Sequence, residues 1–329
     1  MLSRNAMTIR PISIDARLKN TLSGAHMKGR ALSVHDEAIY LLEDKGRMLV
    51  FVREEVGNGP CFIVLRGNES FMKAPLLFRP GEQFAATGMK VDVGRGRVIV
   101  DVADAAEWDP RPSLSHVSGV GAIEASVGHA AKIVGSRGVG KGLEPLLGKI
   151  DTIFARDHDR LSERMNPLLE GALPMVRRLA GAIARGSVRE VTDAAVDLIG
   201  LGDGLTPSCD DMLVGMAGFF HGMTFLSGHG ETARDIISRL GEAIEKRGNR
   251  TTPVSRHFLS EAAGGRFTER VKALLDGIFS ADEKRVEWAA RRVLEYGATS
   301  GVDLVFGIVL ACKTAIRGSR QNIDESQKL

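Results

Sequence analysis

The hydrophobic pattern of this chain changes its period once, near residue 110, and this change most constrains the fold. From about Arg30 to Asp101, short β-type runs alternate apolar and polar residues between turn residues, which predicts strands with one buried face. The segment 108–112, WDPRP, interrupts this pattern and predicts a linker. Beyond it, apolar residues recur with helical spacing to about residue 317. The sequence therefore predicts two regions of different secondary structure.

We predict an α+β fold in which a small N-terminal all-β domain, barrel-like or sandwich-like, precedes a larger all-helical domain. The first 30 residues carry six Lys or Arg against Asp15 alone, which indicates a basic arm, and the polar C-terminal end lacks an apolar face. The predicted division is a basic arm over 1–27, a β-rich domain over 28–110, a helical domain over 111–317 and a disordered tail over 318–329. Helices are expected at about 120–134, 143–155, 166–185, 188–199, 208–226, 231–247, 254–263, 268–278, 282–296 and 301–317.

Composition excludes several classes of protein. Hydrophobic residues at 43% and charged residues at 26% are typical of a soluble, folded chain. Three cysteines without CxxC spacing, and no apolar leader, favour the cytoplasm. The apolar stretches 212–226 and 302–316 are shorter than the ~20 residues that cross a bilayer, so we expect buried helices and no membrane association. Aromatic residues at 5% give no support for nucleic-acid binding by base stacking.

The segment 200–211, GLGDGLTPSCDD, is a glycine-rich loop that leads into an apolar helix. Thr206 suits the N-cap and Pro207 suits the first helical position. Asp210 and Asp211 then stand side by side, and adjacent residues diverge by about 100° around a helix. One carboxylate can close a capping box while the other points into the interior or a cleft. The free N–H groups of such a helix start also suit a phosphate or a carboxylate.

The pattern S-x-x-D-x-x-x-G occurs at the starts of the two most apolar helices and suggests an internal repeat. The matching residues are Ser208, Asp211 and Gly215 in the first copy and Ser300, Asp303 and Gly307 in the second.

Small residues predict where these two helices meet. Gly215, Gly218 and Gly222 share one face of the first helix, as Gly307 and Ala311 do on the second, so a close crossing is expected to bring the helix starts together. The two aspartates of the repeat would then hold Mg²⁺ beside a bound phosphate, or accept hydrogen bonds from the opposite helix start. The sequence leaves both readings open.

Two further segments contain residues that could bind an anion. In NRTTPVSRH at 249–257, Thr252 is expected to cap a helix, while Arg250 or Arg256 can pair an anionic substrate. The segment 135–142, GSRGVGKG, fits the phosphate-loop pattern G-x-x-x-x-G-K. It lacks the Ser or Thr that follows the lysine and the buried strand that precedes such a loop, so we do not predict a nucleotide site there.

GLGDGLTPSCDDMLVG resembles the GLGPGLTPSGDD-type signature of the AllH family. NRTTPVSRHFL resembles that family's Thr-Thr-x-x-Ser helix start, GATSGVDLVFG resembles its Ser-Gly-x-Asp segment, and GNGPCFIVL resembles its β-rich part. The resemblance covers roughly residues 28–317. The chain departs from the family pattern at Asp203, Cys209 and Ala298, where Pro, Gly and His are usual.

The resemblance implies a subunit of a bacterial oxamate carbamoyltransferase. That enzyme transfers the carbamoyl group of oxalurate to phosphate, giving oxamate and carbamoyl phosphate in purine (allantoin) catabolism, beside an FdrA-type protein and other partner subunits. Both substrates are anions, which agrees with glycine-rich helix starts. The alternative is a noncatalytic metabolite-binding or assembly subunit, so the sequence leaves the catalytic role of this chain open.

From the resemblance and the helix starts together, we expect two sets of site residues. Asp211 and Asp303 are the catalytic candidates, and they orient a nitrogenous group or bind Mg²⁺, the one candidate cofactor. The anion is expected to contact the helix-start residues Gly202, Gly204, Thr206, Ser208, Thr299 and Ser300, with Thr251, Thr252 and Ser255 as second-rank candidates.

Overall fold

The computed structural model describes residues 7–24, 26–66, 78–136, 140–154, 166–295 and 297–326. The chain divides into two units, Met1–Arg111 and Pro112–Leu329. Residues 1–6 of the predicted basic arm, 137–139 of the G-x-x-x-x-G-K segment and 327–329 of the predicted tail lie outside the described residues.

The N-terminal unit is built on one ten-stranded sheet and carries one helix, α1 (Ala16–Gly24). The strands are β1 (Met7–Ile9), β2 (Ser13–Asp15), β3 (Met27–Val34), β4 (Ala38–Glu43), β5 (Met48–Arg53), β6 (Phe62–Leu65), β7 (Gln83–Thr87), β8 (Lys90–Val93), β9 (Val98–Asp101) and β10 (Ala106–Trp108). Their order in the sheet is β1-β9-β8-β7-β3-β4-β5-β6-β2-β10.

The hairpin of β8 and β9 shows how the alternating pattern determines the register. Val91 pairs with Val100 and Val93 with Val98, and all four side chains are buried. Slipping the register by one residue would turn these valines to the other face of the sheet. The turn between the strands contains Arg95 in the left-handed region, with φ of 57°. The two strands therefore have one buried face, as the alternating pattern predicts.

Two expectations for this unit need correction. The sheet is curled into a half-barrel, and among the described residues its end strands β1 and β10 do not pair with each other, so it is not a closed barrel. The unit is also not all-β, because α1 buries Leu18 and Leu22 in the core beside the sheet. Strands β1 and β2 and helix α1 lie within the stretch predicted as a basic arm. Strands of three residues are too short to show alternation, which is why the sequence did not reveal them.

The second unit is helical in its described parts. Its helices are α2 (Val120–Gly135), α3 (Glu144–Leu147), α4 (Ile150–Ile153), α5 (Pro167–Ala184), α6 (Val188–Leu198), α7 (Ser208–Met223), α8 (Gly230–Arg247), α9 (Pro253–Ala263), α10 (Glu269–Ser280), α11 (Glu283–Val293) and α12 (Ser300–Ser326). A 3₁₀ turn, Gly248–Arg250, links α8 to α9. These bounds agree with the predicted helices to within a few residues, with two exceptions. The helix expected over 143–155 is the two short helices α3 and α4, and α12 ends nine residues beyond the predicted end at 317.

The apolar helices α7 and α12 lie in the centre of this unit, as the sequence predicts. In α7, only Val214 and His221 are not fully buried. Helix α12 continues to Ser326, over residues that the sequence analysis assigns to a tail. A helix that is already nucleated extends at little cost into polar sequence, which accounts for the difference. Among the described residues, no helix is both long and apolar enough to span a bilayer.

Candidate functional site

Helices α7 and α12 cross at two glycines, and the contact is reciprocal. A Cβ at Gly215 of α7 would lie 2.0 Å from the carbonyl oxygen of Leu304, and a Cβ at Gly307 of α12 would lie 2.0 Å from that of Met212. Only glycine allows two backbones to approach this closely. The crossing is about two turns from Ser208 and a similar distance from the start of α12, so it brings the two helix starts together.

The other two glycines of the predicted stripe do not take part in this crossing. A Cβ at Gly218 would lie 3.0 Å from the side chain of Leu275, and one at Gly222 would lie 2.0 Å from that of Phe279. Both neighbours belong to α10, which corrects the expectation that all three glycines face α12. Helices that cross at an angle stay in contact only near the crossing point, and α10 fills the space beyond it.

Asp211 lies at the junction of the two helix starts. Its side chain is 8% exposed, and its Oδ2 atom has no hydrogen-bond partner among the described residues. Burial raises the pKa of this carboxyl well above its ordinary value, and the charge of Asp303 raises it further. Hydrogen bonds from the Ser300 and Thr206 hydroxyls act in the opposite direction. These two partly exposed hydroxyls are 3.1 Å apart.

Asp303 occupies the equivalent position on α12 and is fully buried. Its Oδ1 accepts a hydrogen bond of 2.7 Å from the backbone N–H of Leu143, whereas its Oδ2 has no partner among the described residues. Burial raises the pKa of Asp303 to about 6. The Leu143 N–H and the hydroxyls of Ser208 and Thr299 oppose this rise, and the nearby charge of Glu144 adds to it.

Each serine of the repeat lies beside the aspartate of the opposite helix. Ser208 begins α7, and its hydroxyl lowers the pKa of Asp303 on α12, while Ser300 begins α12, and its hydroxyl lowers the pKa of Asp211 on α7. This arrangement supports the internal repeat as a spatial one. It leaves two buried carboxylates close together, each with one oxygen free to accept a hydrogen bond or bind a cation.

Asp210 has a different environment from its neighbour Asp211. It is 1% exposed, and both of its oxygens are hydrogen-bonded. Oδ1 accepts from the N–H of Gly200 at 2.8 Å, and Oδ2 accepts from the hydroxyl of Ser255 at 2.7 Å and from that of Thr251. The pKa of Asp210 is raised by burial despite these three bonds. Asp210 therefore joins the glycine-rich loop to the start of α9.

The predicted capping of α9 is confirmed, and that of α7 is wrong by one residue. Thr252 accepts a hydrogen bond of 3.0 Å from the N–H of Ser255, and its own hydroxyl donates to the carbonyl oxygen of Leu205 at 2.5 Å. Pro207 is the N-cap of α7, and no side chain caps this helix. Thr206 contacts Ser300 instead, because the second helix start offers it a hydroxyl partner. Thr251, Thr252 and Ser255 thus hold the loop in place.

All three glycines of the loop have positive φ, and Gly202 and Gly204 serve different purposes. At Gly202, with φ of 121°, a Cβ would lie 2.5 Å from the backbone nitrogen of Ser208, so the chain passes close over the first N–H of α7. At Gly204, with φ of 91°, a Cβ would have no neighbour within 4 Å. The N–H of Cys209 donates to the carbonyl of Leu201 at 3.0 Å. The loop therefore packs against the start of α7 at Gly202 and has free space beside it at Gly204.

The electrostatics of the site are those of uncompensated carboxylates. In the part of the chain that the structure describes, no Lys or Arg side chain is bonded to Asp210, Asp211 or Asp303. Arg250 and Arg256, which the sequence analysis considers as partners for an anion, are exposed. Such a site needs protons, a cation or hydrogen-bond donors from a ligand. The expectation of Mg²⁺ at Asp211 and Asp303 stays a prediction.

Sequence reasoning missed the segment that follows the G-x-x-x-x-G-K pattern. A Cβ at Gly142, where φ is 58°, would lie 2.5 Å from Oδ1 of Asp303, so this glycine lets the backbone reach the carboxylate. The N–H of Gly140 donates to Glu144 at 2.6 Å and shapes the turn. The motif does approach the site, but through the backbone of 142–143. The glycine spacing of this segment was the available signal, and the sequence analysis considers it only as a nucleotide loop, which it does not predict.

Comparisons with known proteins agree with the resemblance noted in the sequence. A family model described as "Oxamate carbamoyltransferase subunit AllH" matches residues 198–312, which include both helix starts. A second model, "AllH family N-terminal domain", matches residues 10–107. No solved structure matches the chain significantly. One model lies in each unit and together they match more than half of the chain, so the protein belongs to the AllH family.

Proposed function

We propose that this chain carries the substrate site of a carbamoyltransferase and works as one subunit of an assembly. The observation that carries this proposal is the junction of two helix starts above two buried aspartates, each with an unpartnered Oδ2. A buried carboxylate oxygen without a partner costs stability. A protein that keeps two such oxygens in one place is expected to use them on a ligand. The family to which the chain belongs is described as a subunit of oxamate carbamoyltransferase, which supplies the reaction class.

The helix starts supply donors for the anionic part of the substrate. The N-terminal ends of α7 and α12 carry partial positive charge, and the hydroxyls of Thr206 and Ser300 lie beside them as donors. Thr206 and Ser300 are partly exposed and lie beside Asp211, so their hydroxyls connect the solvent to the buried carboxylates. We assign the phosphate, or the carboxylate of oxamate or oxalurate, to these donors together with the backbone of Gly202 and Gly204.

Two carboxyl groups with raised pKa values suit the proton transfers of this reaction. In phosphorolysis, an oxygen of hydrogen phosphate attacks the carbamoyl carbon of oxalurate, and the bond from that carbon to the amide nitrogen of oxamate breaks. The proton lost by phosphate is gained by that nitrogen, so atoms and charge balance. Asp211 and Asp303 act as carboxylates that orient the nitrogenous group, and one of them relays the proton from phosphate to the leaving nitrogen. The raised pKa values keep a proton available near neutral pH.

Mg²⁺ is a second way to balance the charge of this pair. Carboxylate oxygens and substrate phosphate oxygens are the ligands that Mg²⁺ prefers. The unpartnered oxygens of Asp211 and Asp303 would hold the ion, and it would neutralise the phosphate during transfer. A requirement for Mg²⁺ in the assay below would support this role.

The alternative function is a noncatalytic metabolite-binding or assembly subunit. The bond between the Leu143 N–H and Asp303 favours it, because this carboxylate joins two segments of the fold whether or not a ligand is bound. In that case, replacing the carboxylates should alter stability and leave turnover per folded molecule unchanged.

The test is turnover of oxalurate and phosphate by the chain assembled with FdrA-type and other partner subunits. We expect Asp211→Asn to abolish turnover and to keep the melting temperature of the wild type, because Asn fills the same volume. Asp203→Asn is the matched control, since this carboxylate lies on the same loop and is exposed. Normal turnover per folded molecule in Asp211→Asn would overturn the catalytic assignment.

A further inference from the structure

The two unpartnered oxygens of the site specify the kind of group that can lie between them. Oδ2 of Asp211 and Oδ2 of Asp303 are buried acceptors on adjacent helix starts, and the described residues supply neither with a donor. The other oxygen of Asp303 is held by the Leu143 N–H, so the orientation of this carboxylate is fixed. A ligand group that satisfies both oxygens must therefore bring two N–H or O–H donors to one place.

We propose that these two oxygens accept the two hydrogens of the carbamoyl amino group, so that Asp211 and Asp303 select carbamoyl donors over other acyl phosphates. The inference rests on the proposed function and adds the specificity of its site. A carbamoyl group carries an NH₂ with two N–H donors on one nitrogen, next to a carbonyl and an anionic end. The amino group matches the paired acceptors, and the anionic end matches the donors at Thr206 and Ser300.

Size cannot provide this selectivity, because NH₂ and CH₃ occupy nearly the same volume. Acetyl phosphate differs from carbamoyl phosphate by this exchange alone. With the methyl group in place, both buried oxygens would stay without a donor, which weakens binding. Sites built to hydrogen-bond a substrate N–H reject analogues that lack it far more strongly than apolar pockets reject a methylene group. The carboxylate pair therefore distinguishes the two compounds by chemistry.

The experiment measures the affinities of carbamoyl phosphate, acetyl phosphate and inorganic phosphate by isothermal titration, on the full chain and on the assembly with its partner subunits. We expect carbamoyl phosphate to bind at least about 100-fold more tightly than acetyl phosphate, because only carbamoyl phosphate makes the two hydrogen bonds to the carboxylates. Inorganic phosphate should bind with an affinity close to that of acetyl phosphate.

Asp303→Asn is the most informative variant. Its Oδ1 is expected to keep the bond from the Leu143 N–H, which places the amide NH₂ where Oδ2 now lies. A donor then faces the donor of the ligand, so the preference for carbamoyl phosphate should fall below about 10-fold while the affinity for phosphate is kept. Asp203→Asn is the control and should keep the full preference.

The outcomes separate this inference from the proposed function. Equal affinities for carbamoyl and acetyl phosphate would overturn the amino-group contact and leave the anion site standing. A preference that appears only with Mg²⁺, and persists in Asp303→Asn, would also overturn it. No binding of any of the three compounds, in the chain or in the assembly, would overturn the proposed function together with the inference.

Discussion

Asp210 and Asp211 are adjacent in the chain, and their carboxylates have opposite roles. Asp210 receives three hydrogen bonds, whereas Asp211 keeps an unpartnered oxygen. The sequence shows that one of them must leave the capping position, because adjacent residues diverge around a helix. It does not show which one, since their partners come from Gly200, the start of α9 and the start of α12.

Substituting Asp210 and Asp211 in turn should distinguish the structural role of the first from the ligand-binding role of the second. Asp210→Ala leaves a buried N–H and two hydroxyls without their acceptor, so we expect a loss of about 3 kcal/mol in the free energy of unfolding. Asp211→Asn keeps the volume and removes a buried charge, so its change should be within about 1 kcal/mol of zero. Denaturant unfolding of both variants gives the two values. A larger loss in Asp211→Asn than in Asp210→Ala would contradict the assignment.

The pKa of Asp303 predicts how stability changes with pH. Its value of about 6 in the folded chain lies above the ordinary value of 3.8. The folded state therefore holds a proton that the unfolded state releases. The proton's contribution to the free energy of unfolding is complete below about pH 4 and is lost as the pH rises through 6. Burial lowers the pKa of His221, so this residue has the opposite effect. Its contribution to the stability of the folded chain is lost as the pH falls below the ordinary pKa of histidine.

The difference between the wild type and Asp303→Asn isolates the contribution of Asp303. The variant should gain stability relative to the wild type by an amount on the order of 2 kcal/mol as the pH rises from 4 to 7.5. Denaturant unfolding across this range measures it. A difference that is constant with pH would show that Asp303 does not titrate there.

At the scale of the element, the crossing of α7 and α12 determines the site. Sequence patterns predicted both helices, their convergence and the equivalence of Asp211 and Asp303. They did not predict that Gly218 and Gly222 face α10, because a glycine stripe does not indicate which neighbour fills the groove. They also missed the contact of Gly142 with Asp303, since the segments lie far apart in the chain and share no periodic pattern.

The glycines at the crossing can be tested by adding one methyl group. Gly215→Ala and Gly307→Ala place a Cβ against a backbone carbonyl that cannot move alone, so each should cost at least about 2 kcal/mol of stability and weaken ligand binding. Gly171→Ala is the control, because this glycine lies inside α5 with no neighbour within 4 Å. There we expect a gain of about 0.5–1 kcal/mol. Normal stability in both crossing variants would contradict the close approach.

For the whole molecule, the sequence predicts the change of architecture better than the closure of the sheet. The period of the apolar residues changes near the point where the two units meet, at Arg111 and Pro112. Closure depends on the edge strands, and β1 and β10 are short strands that pair in parallel with β9 and β2. Such pairings are long-range and leave no alternation in the sequence, so a half-barrel could not be distinguished from a barrel.

The three cysteines test the integrity of both cores at once. Cys61, Cys209 and Cys312 are buried, and none of them forms a disulfide among the described residues. Burial raises the pKa of Cys312 to about 12 and that of Cys209 well above its ordinary value. The thiolate is the reactive form, so we expect negligible labelling by a thiol reagent at pH 8 in the native chain and three labelled thiols after unfolding. Rapid labelling of Cys209 or Cys312 in the native chain would contradict their burial.

We propose that the two helix starts form one ligand site. A thermal-shift titration with carbamoyl phosphate tests this proposal most directly. A ligand at 100 times its dissociation constant stabilises the folded chain by about 2.7 kcal/mol. We predict a shift of this size in the wild type and in Asp203→Asn, and its loss in both Thr206→Val and Asp211→Asn. A shift that persists in these two variants would place the ligand elsewhere and contradict the account.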